Sequence, residues 1–404
     1  MHVSTIMEGY LKESKDYLNR LNDFKQVHIV LGNEACDLDS AVSSLLYGYL
    51  LFKLNPNPDK AVFSVLNVAN KDFKLKTDVC YFLKENDISF DQLIFKDDVD
   101  LQALHAKGKL LVTLVDHDTL SKSDKTLSSS VIEIIDHHKR SQENYGEKSE
   151  VTIELVGSCA TLVAEKIKTL EPSLLDVQTS TLLFGTILFD TVCLDESAGR
   201  VTNKDREITQ MLKDYIPDPH PQEIYDNIQR AKSDISDLSV ADVLRKDIKI
   251  VSNSSINIAV SSIPLLVTDL VSKTNNIEFE LKNFNATNNY HTLVMMGIQI
   301  DQGTKEVYRE IGIYSINNVC KQQVAEYLAA VESLQLVSKD ANIQCLSIYV
   351  QGNVAASRKI VLPLLTKFLI GENSHDALEN HPMRQRLQGK LAMHPSLFTA
   401  PGSP

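Results

Sequence analysis

The chain has 404 residues, 43% hydrophobic and 23% charged, with 41 Lys and Arg against 53 Asp and Glu for a formal net charge of −12. That length fits two or three domains, and the acidic balance excludes general attraction to a nucleic-acid polymer or an anionic membrane, so an anionic substrate would need local cations. No apolar run approaches the ~18 residues of a membrane span, and the cysteines at 36, 80, 159, 193, 320 and 345 form no CxxC. These features, with no signal or transit pattern in Met1 to Tyr10, lead us to expect a cytoplasmic protein with reduced, buried thiols.

In chain order, strand-like runs fall at 27–31, 61–66, 110–115, 131–135 and 151–155. Several are almost continuously apolar, as strands buried on both faces of a parallel sheet are. Helical patterns lie near 41–53, 73–85 and 99–106, then 159–170 and 174–190. The alternation predicts an α/β fold with a mostly parallel sheet flanked by helices, in which ligands bind at the carboxyl ends of strands. Pro217-Asp218-Pro219-His220-Pro221 reads as a boundary. Further strand-like runs follow at 248–252, 256–262, 292–300, 309–315 and 344–350, with a last helix at 358–370. We therefore expect a first domain over 1–214, a linker over 215–235, a smaller α/β domain over 236–372 and a mobile tail over 373–404.

Carboxylates recur where the apolar runs of the first domain end. Asp37 and Asp39 follow the first run, Asp116 and His117 the third, and Asp136, His137 and His138 the fourth. Asp190 ends the apolar helix that contains Leu182 to Leu188. A lone aspartate after a strand is ordinarily a turn or N-cap residue. Parallel neighbours, however, would bring all of these to one sheet edge. Two unit charges ~4 Å apart repel by about 4 kcal/mol at an effective dielectric of ~20, so such a cluster raises its own pKa values or demands cations. Oxygen and imidazole ligands together suit Mn, Mg, Co or Zn. A pair of such ions can activate a hydroxide and clamp a phosphoryl group.

The stretches GNEACDLDS, LVDHD, IIDHH and FGTILFDT, in that order, resemble the four motifs of the DHH phosphoesterase superfamily. Together with Ile153-Glu154-Leu155-Val156-Gly157-Ser158-Cys159-Ala160-Thr161, they are similar to its prune and exopolyphosphatase branch. The resemblance covers roughly residues 25–370. It implies a DHH domain and a smaller DHH-associated domain, with the active site in the cleft between them. By the same resemblance Asp37, Asp39, Asp116, His137 and Asp190 would hold two divalent cations, Mn2+ or Mg2+, with Co2+ as an alternative. Asp136 would orient its neighbours, and His138 would face the substrate phosphate or protonate the leaving oxygen. Inorganic pyrophosphatases of the superfamily carry a histidine where this chain has Asn33. Asn33 therefore argues against that activity without arguing against catalysis, and we place it among the substrate-binding residues.

Arg245-Lys246 and Ser357-Arg358-Lys359 supply cations in the second domain. An Arg-Lys pair is ordinarily a solvated face, but the last set opens a helix, where anions bind well, and the family places matching residues on the substrate phosphates. The expected activity is hydrolysis of short-chain polyphosphate by a metal-activated hydroxide, with Asp116, His138, Arg358 and Lys359 in catalytic roles. Cyclic AMP or GMP hydrolysis is the close alternative. A second class is a catalytically weak scaffold, for which the resemblance implies a partner such as nucleoside diphosphate kinase. The family resemblance also leaves mitochondrial placement open.

Overall fold

The computed structural model describes residues 6–371 except 142, 144, 146–148, 302 and 342; the expected tail lies outside the described residues. The chain divides into two compact units, Met1–Asp234 and Ile235–Pro404.

The first unit is built on five parallel strands: β1 (Gln26–Leu31), β2 (Lys60–Val65), β3 (Leu110–Val115), β4 (Val131–Asp136) and β5 (Glu150–Ile153). Their order is β2-β1-β3-β4-β5. Side chains alternate between two cores. Val30, Val115 and Ile135 meet the helices Leu38–Leu54, Cys159–Leu170 and Val177–Asp190 on one face. Ile29, Leu31, Val112, Leu114 and Ile134 pack on the other, with Leu101 and Leu104 of the helix Leu101–Ala106. Burial on both faces explains the near-continuous apolar runs. The chain leaves β1 toward β2 on one side, and β3 lies on the other. The carboxyl ends of β1 and β3 thus flank the topological switch point, where α/β sheets open a crevice for ligands.

Of the stretch 215–235, expected to be a linker, Pro221–Ser233 form a helix that belongs to the first unit. Pro221 stands at the start of that helix, where its fixed φ is suitable and its missing N–H is not needed. Ile228 and Ala231 anchor the helix by burial.

The second unit carries a mixed sheet of β6 (Ile248–Ser252), β7 (Asn257–Ile263), β8 (Thr292–Ile300), β9 (Val307–Tyr314), β10 (Leu336–Lys339) and β11 (Leu346–Gln351). The order is β10-β11-β9-β8-β7-β6, and β7 with β8 is the parallel pair. Strand β10 was not expected. It is a short edge strand whose Val337 is exposed, so it lacks the burial pattern that marks the others.

Candidate metal centre

Asn33, Asp37, Asp39, Asp116, His137, His138 and Asp190 line one cavity of about 540 Å³ in the first unit. The strand ends deliver them: the β1 turn carries Asn33, Asp37 and Asp39, β3 is followed by Asp116, β4 by the two histidines, and Asp190 closes the helix Val177–Asp190.

Asp37 also serves the bland purpose. It caps the helix Leu38–Leu54 by accepting the Ser40 N–H at 3.1 Å. Asp39, buried in the first turn of that helix, is held from across the fold. Its Oδ2 accepts the Cys159 N–H at 2.6 Å, and its Oδ1 accepts the Ala160 N–H and the Ser43 hydroxyl, each at 2.9 Å. The N–H groups at the start of the helix Cys159–Leu170 therefore hold this carboxylate in place. Asn33 is fully engaged within the site. Its Oδ1 accepts the N–H groups of Ala35 and Cys36, and its Nδ2 donates to Asp116 Oδ2 at 2.7 Å. Asp116 has φ +62°, a left-handed conformation that Asp and Asn tolerate better than most residues.

The centre of the site is rich in acceptors. His137 Nδ1 lies 3.0 Å from the Val156 carbonyl, which can only accept, so Nδ1 donates. In the neutral ring Nε2 then carries a lone pair. It points at Asp116 Oδ1, 3.2 Å away, and Asp39 Oδ2, 3.6 Å away. Asp116 Oδ1 and Asp190 Oδ2 are buried and, among the described residues, accept no hydrogen bond. Acceptors converging in this way fit a cation, since unpaired buried acceptors are otherwise costly. Asp116, His137 and His138 also offer ligand atoms within 4.8 Å of one another.

The titration behaviour agrees. Burial, then the charge of Asp39, pushes the Asp116 and Asp190 carboxyls well above the usual range. Burial works against the His137 imidazolium, but Asp39 and the Val156 carbonyl outweigh it and raise its pKa. Asp136, 1% exposed, stands behind the cavity. Its Oδ1 accepts the N–H groups of His137 and His138 and the His138 Nδ1–H at 2.9 Å. Burial opposes its ionisation, yet these bonds lower its pKa. It thus orients His138, whereas the Val156 carbonyl orients the His137 ring.

Several participants gave no strong signal in sequence. Past Asp190 the chain runs through Val192, Cys193 and Leu194 with φ of +53°, +57° and +63°. Each left-handed residue costs roughly 1–2 kcal/mol, and such strain gathers at functional sites. The turn leads to Gly199, Arg200, Val201 and Thr202, which complete the cavity lining with Leu155, Val156 and Gly157. Buried Asp205 ties these segments together by accepting the Gly157 N–H at 2.8 Å, the Thr161 hydroxyl at 2.6 Å and the Thr202 N–H at 2.8 Å. A Cβ on Gly157 would lie 2.4 Å from Thr191 Cγ2 and 2.9 Å from the Arg200 carbonyl oxygen, so only glycine fits.

The remaining candidates lie in the second unit. Arg245 and Lys246 end the helix Val240–Lys246, and Ser357 caps the helix Arg358–Ile370. Arg358 donates to Asp247 Oδ1 and to the Asp247 carbonyl, each at 2.6 Å, which brings this helix start beside the Arg245-Lys246 turn. Arg245 holds Asp242 at 2.7 Å. Lys359 is exposed.

The DHH family N-terminal domain profile matches residues 28–193, and the DHHA2 domain profile matches residues 226–368. A protein from Rattus norvegicus named Exopolyphosphatase PRUNE1 is 37% identical over 369 residues, which is 90% of this chain and 79% of that one. The chain belongs to the prune branch of the DHH family. More distant relatives of this prune-family protein include a Putative exopolyphosphatase of Schizosaccharomyces pombe, 30% identical over 83% of this chain and 89% of its own length. A Manganese-dependent inorganic pyrophosphatase of Methanothrix thermoacetophila is 26% identical over 66% of this chain and 79% of its own. Among the described residues no helix is long and apolar enough to cross a membrane.

Proposed function

We propose that this prune-family protein is a metal-dependent phosphohydrolase that removes terminal phosphate from short-chain polyphosphate. The single observation that carries the reading is the convergence of His137 Nε2, Asp39 Oδ2 and Asp116 Oδ1, three atoms that can each ligate a cation. Asp37, Asp39, Asp116, His137 and Asp190 would hold two divalent cations, with Mn2+ or Mg2+ as the candidates. Bound there, such ions lower the pKa of water and offset charge on phosphoryl oxygens. The names of the relatives favour a phosphoanhydride substrate and manganese.

In the reaction, water adds to the terminal phosphorus and the bond from that phosphorus to the bridging oxygen breaks. Orthophosphate leaves, and the chain is one phosphate shorter. His138 is placed to serve the leaving oxygen. Its Nδ1–H is taken by Asp136, its side chain is 60% exposed, and its Nε2 is free to present a proton to substrate. The Asp136 bond raises the His138 pKa and so favours the protonated ring. Asp39 is held in place by two backbone N–H groups, and Asn33 holds Asp116 in register. We assign Arg245, Lys246, Ser357, Arg358 and Lys359 to binding substrate phosphates. Each arginine would exchange or share its present carboxylate partner, and Arg358 and Lys359 would add charge at a helix start.

The test is phosphate release from tripolyphosphate and tetraphosphate with Mn2+ or Mg2+, run beside cyclic AMP, with Asp190→Ala as control. Metal-dependent release that is lost in the variant supports the reading. Turnover of cyclic AMP alone moves the assignment to a phosphodiesterase. Turnover of neither removes the enzyme reading and leaves the scaffold.

A further inference from the structure

Arg200 is the one side chain of permanent positive charge among the described residues that line the cavity. Its companions there are four aspartates, two histidines, an asparagine, a threonine and small or aliphatic residues. Arg200 is exposed, and among the described residues no carboxylate pairs with it. Arg206, in the following helix, shows the ordinary alternative by pairing with Glu196 at 2.8 Å. An exposed guanidinium that lines an acidic cavity without a carboxylate partner among the described residues is available to a mobile anion.

Its backbone is not free to wander. The left-handed turn Val192–Leu194 begins the reversal that leads the chain to the cavity after Asp190. Asp205 then ties Thr202 to Gly157, and the Arg200 carbonyl packs where a Cβ of Gly157 would be. The segment that follows Gly157 supplies the N–H groups that hold Asp39. Arg200 and Asp39 are therefore anchored to one scaffold within the first unit.

We infer that Arg200 is a phosphate-binding, specificity-determining residue of this site. It forks onto the oxygens of a phosphate in a substrate whose reacting phosphate lies at the aspartates. This assignment rests on the phosphohydrolase reading above. A planar fork suits two phosphate oxygens, and the low charge density of guanidinium suits partial desolvation. A cation here would also counter the net negative field that otherwise repels a polyanion.

The experiment compares wild type with Arg200→Ala and Arg200→Lys. KM and kcat are measured with tripolyphosphate and Mn2+, and binding of the non-hydrolysable imidodiphosphate to the Mn-loaded protein is measured by calorimetry. Loss of one charge-assisted contact should raise KM and weaken imidodiphosphate about ten-fold to a hundred-fold, with a much smaller fall in kcat. Arg200→Lys should recover part of this loss. Mn2+ affinity and melting temperature should stay close to wild type, which a merely structural role would not allow. KM and imidodiphosphate affinity of Arg200→Ala within about two-fold of wild type would overturn the assignment. A wild type that binds imidodiphosphate but releases no phosphate would sink the hydrolase reading and leave Arg200 judged by the binding arm. A wild type that binds neither overturns both.

Discussion

If the aspartates are spaced for cations, the metal-free protein should be strained by them, and removing one charge should stabilise it. Asp116→Asn is the sharpest perturbation. Asp39 Oδ2 and Asp116 Oδ1 lie 3.6 and 3.2 Å from the same His137 Nε2, so they are no more than about 7 Å apart. At that distance and an effective dielectric of ~20, two unit charges repel by roughly 2.4 kcal/mol or more. The raised pKa of Asp116 means that protonation already relieves part of this. The amide keeps the carbonyl that accepts from Asn33, tolerates the left-handed backbone, and can turn its NH2 toward the lone pair of His137 Nε2. We expect a gain of about 1–2 kcal/mol, which for a unit of this size raises the melting temperature by ~2–8 °C. The sign with pH follows from linkage. A carboxyl whose folded pKa lies above its unfolded value destabilises as pH rises through the folded value. The advantage of the variant should therefore be largest near neutrality and fade below about pH 4. Melts followed by circular dichroism in EDTA and in Mn2+ give the answer. Mn2+ at a hundred times Kd should stabilise wild type by about 2.7 kcal/mol and the variant by much less. A variant that melts at or below wild type in EDTA near neutrality would refute the crowding argument.

Two predictions test the surrounding scaffold. Burial, with the Lys60 charge, depresses His28 to about 3, and its Nε2 meets Thr113 at 2.8 Å within a network that includes Glu133, Tyr47 and Lys166. A histidine depressed in the fold contributes stability that is present above pH ~6.5 and lost as pH falls toward the folded value, about 2 kcal/mol of it by pH 5. His28→Gln should reduce the stability difference between pH 7 and pH 5 by that amount in urea titrations; an unchanged difference would show that His28 is not the sensor. Gly157→Ala must displace Thr191 or the Arg200 backbone. It should cost about 1–3 kcal/mol and weaken Mn2+ binding through Asp39, and calorimetry showing wild-type affinity would break the link between those segments.

What could be read from sequence was whatever repeats in space at strand ends. Buried parallel strands such as Leu110–Val115 announce themselves by apolar runs, and the parallel arrangement then dictates that Asp37, Asp39, Asp116 and His137 share one edge. Asn33, Asp136 and the Gly157–Thr161 segment were visible as motif text, but not the bonds that define their work, because a hydrogen bond from Cys159 N–H to Asp39 spans the fold. Strand β10 and the helix Pro221–Ser233 escaped for opposite reasons: the first is an exposed edge, and the second begins with a proline cluster that more often ends structure.

Arg200 is the most instructive omission, because its value depends on backbone conformation that composition does not encode. Val192 is β-branched and has φ +53°, which local preference alone would forbid. Such a residue persists only where neighbouring structure over-determines it. At the turn the Cys193 N–H donates to the Leu188 carbonyl at 2.7 Å and the Leu194 N–H to the Thr191 hydroxyl at 3.2 Å, and beyond it Asp205 ties Thr202 to Gly157. An arginine after a helix reads as a solvated surface residue until those bonds are known, and only then does it become a cation in the lining of an acidic cavity. The left-handed turn after Asp190 and the Asp205 bonds to Gly157 and Thr202 thus both act on the short segment that brings Arg200 into the lining of the cavity that holds the acidic residues.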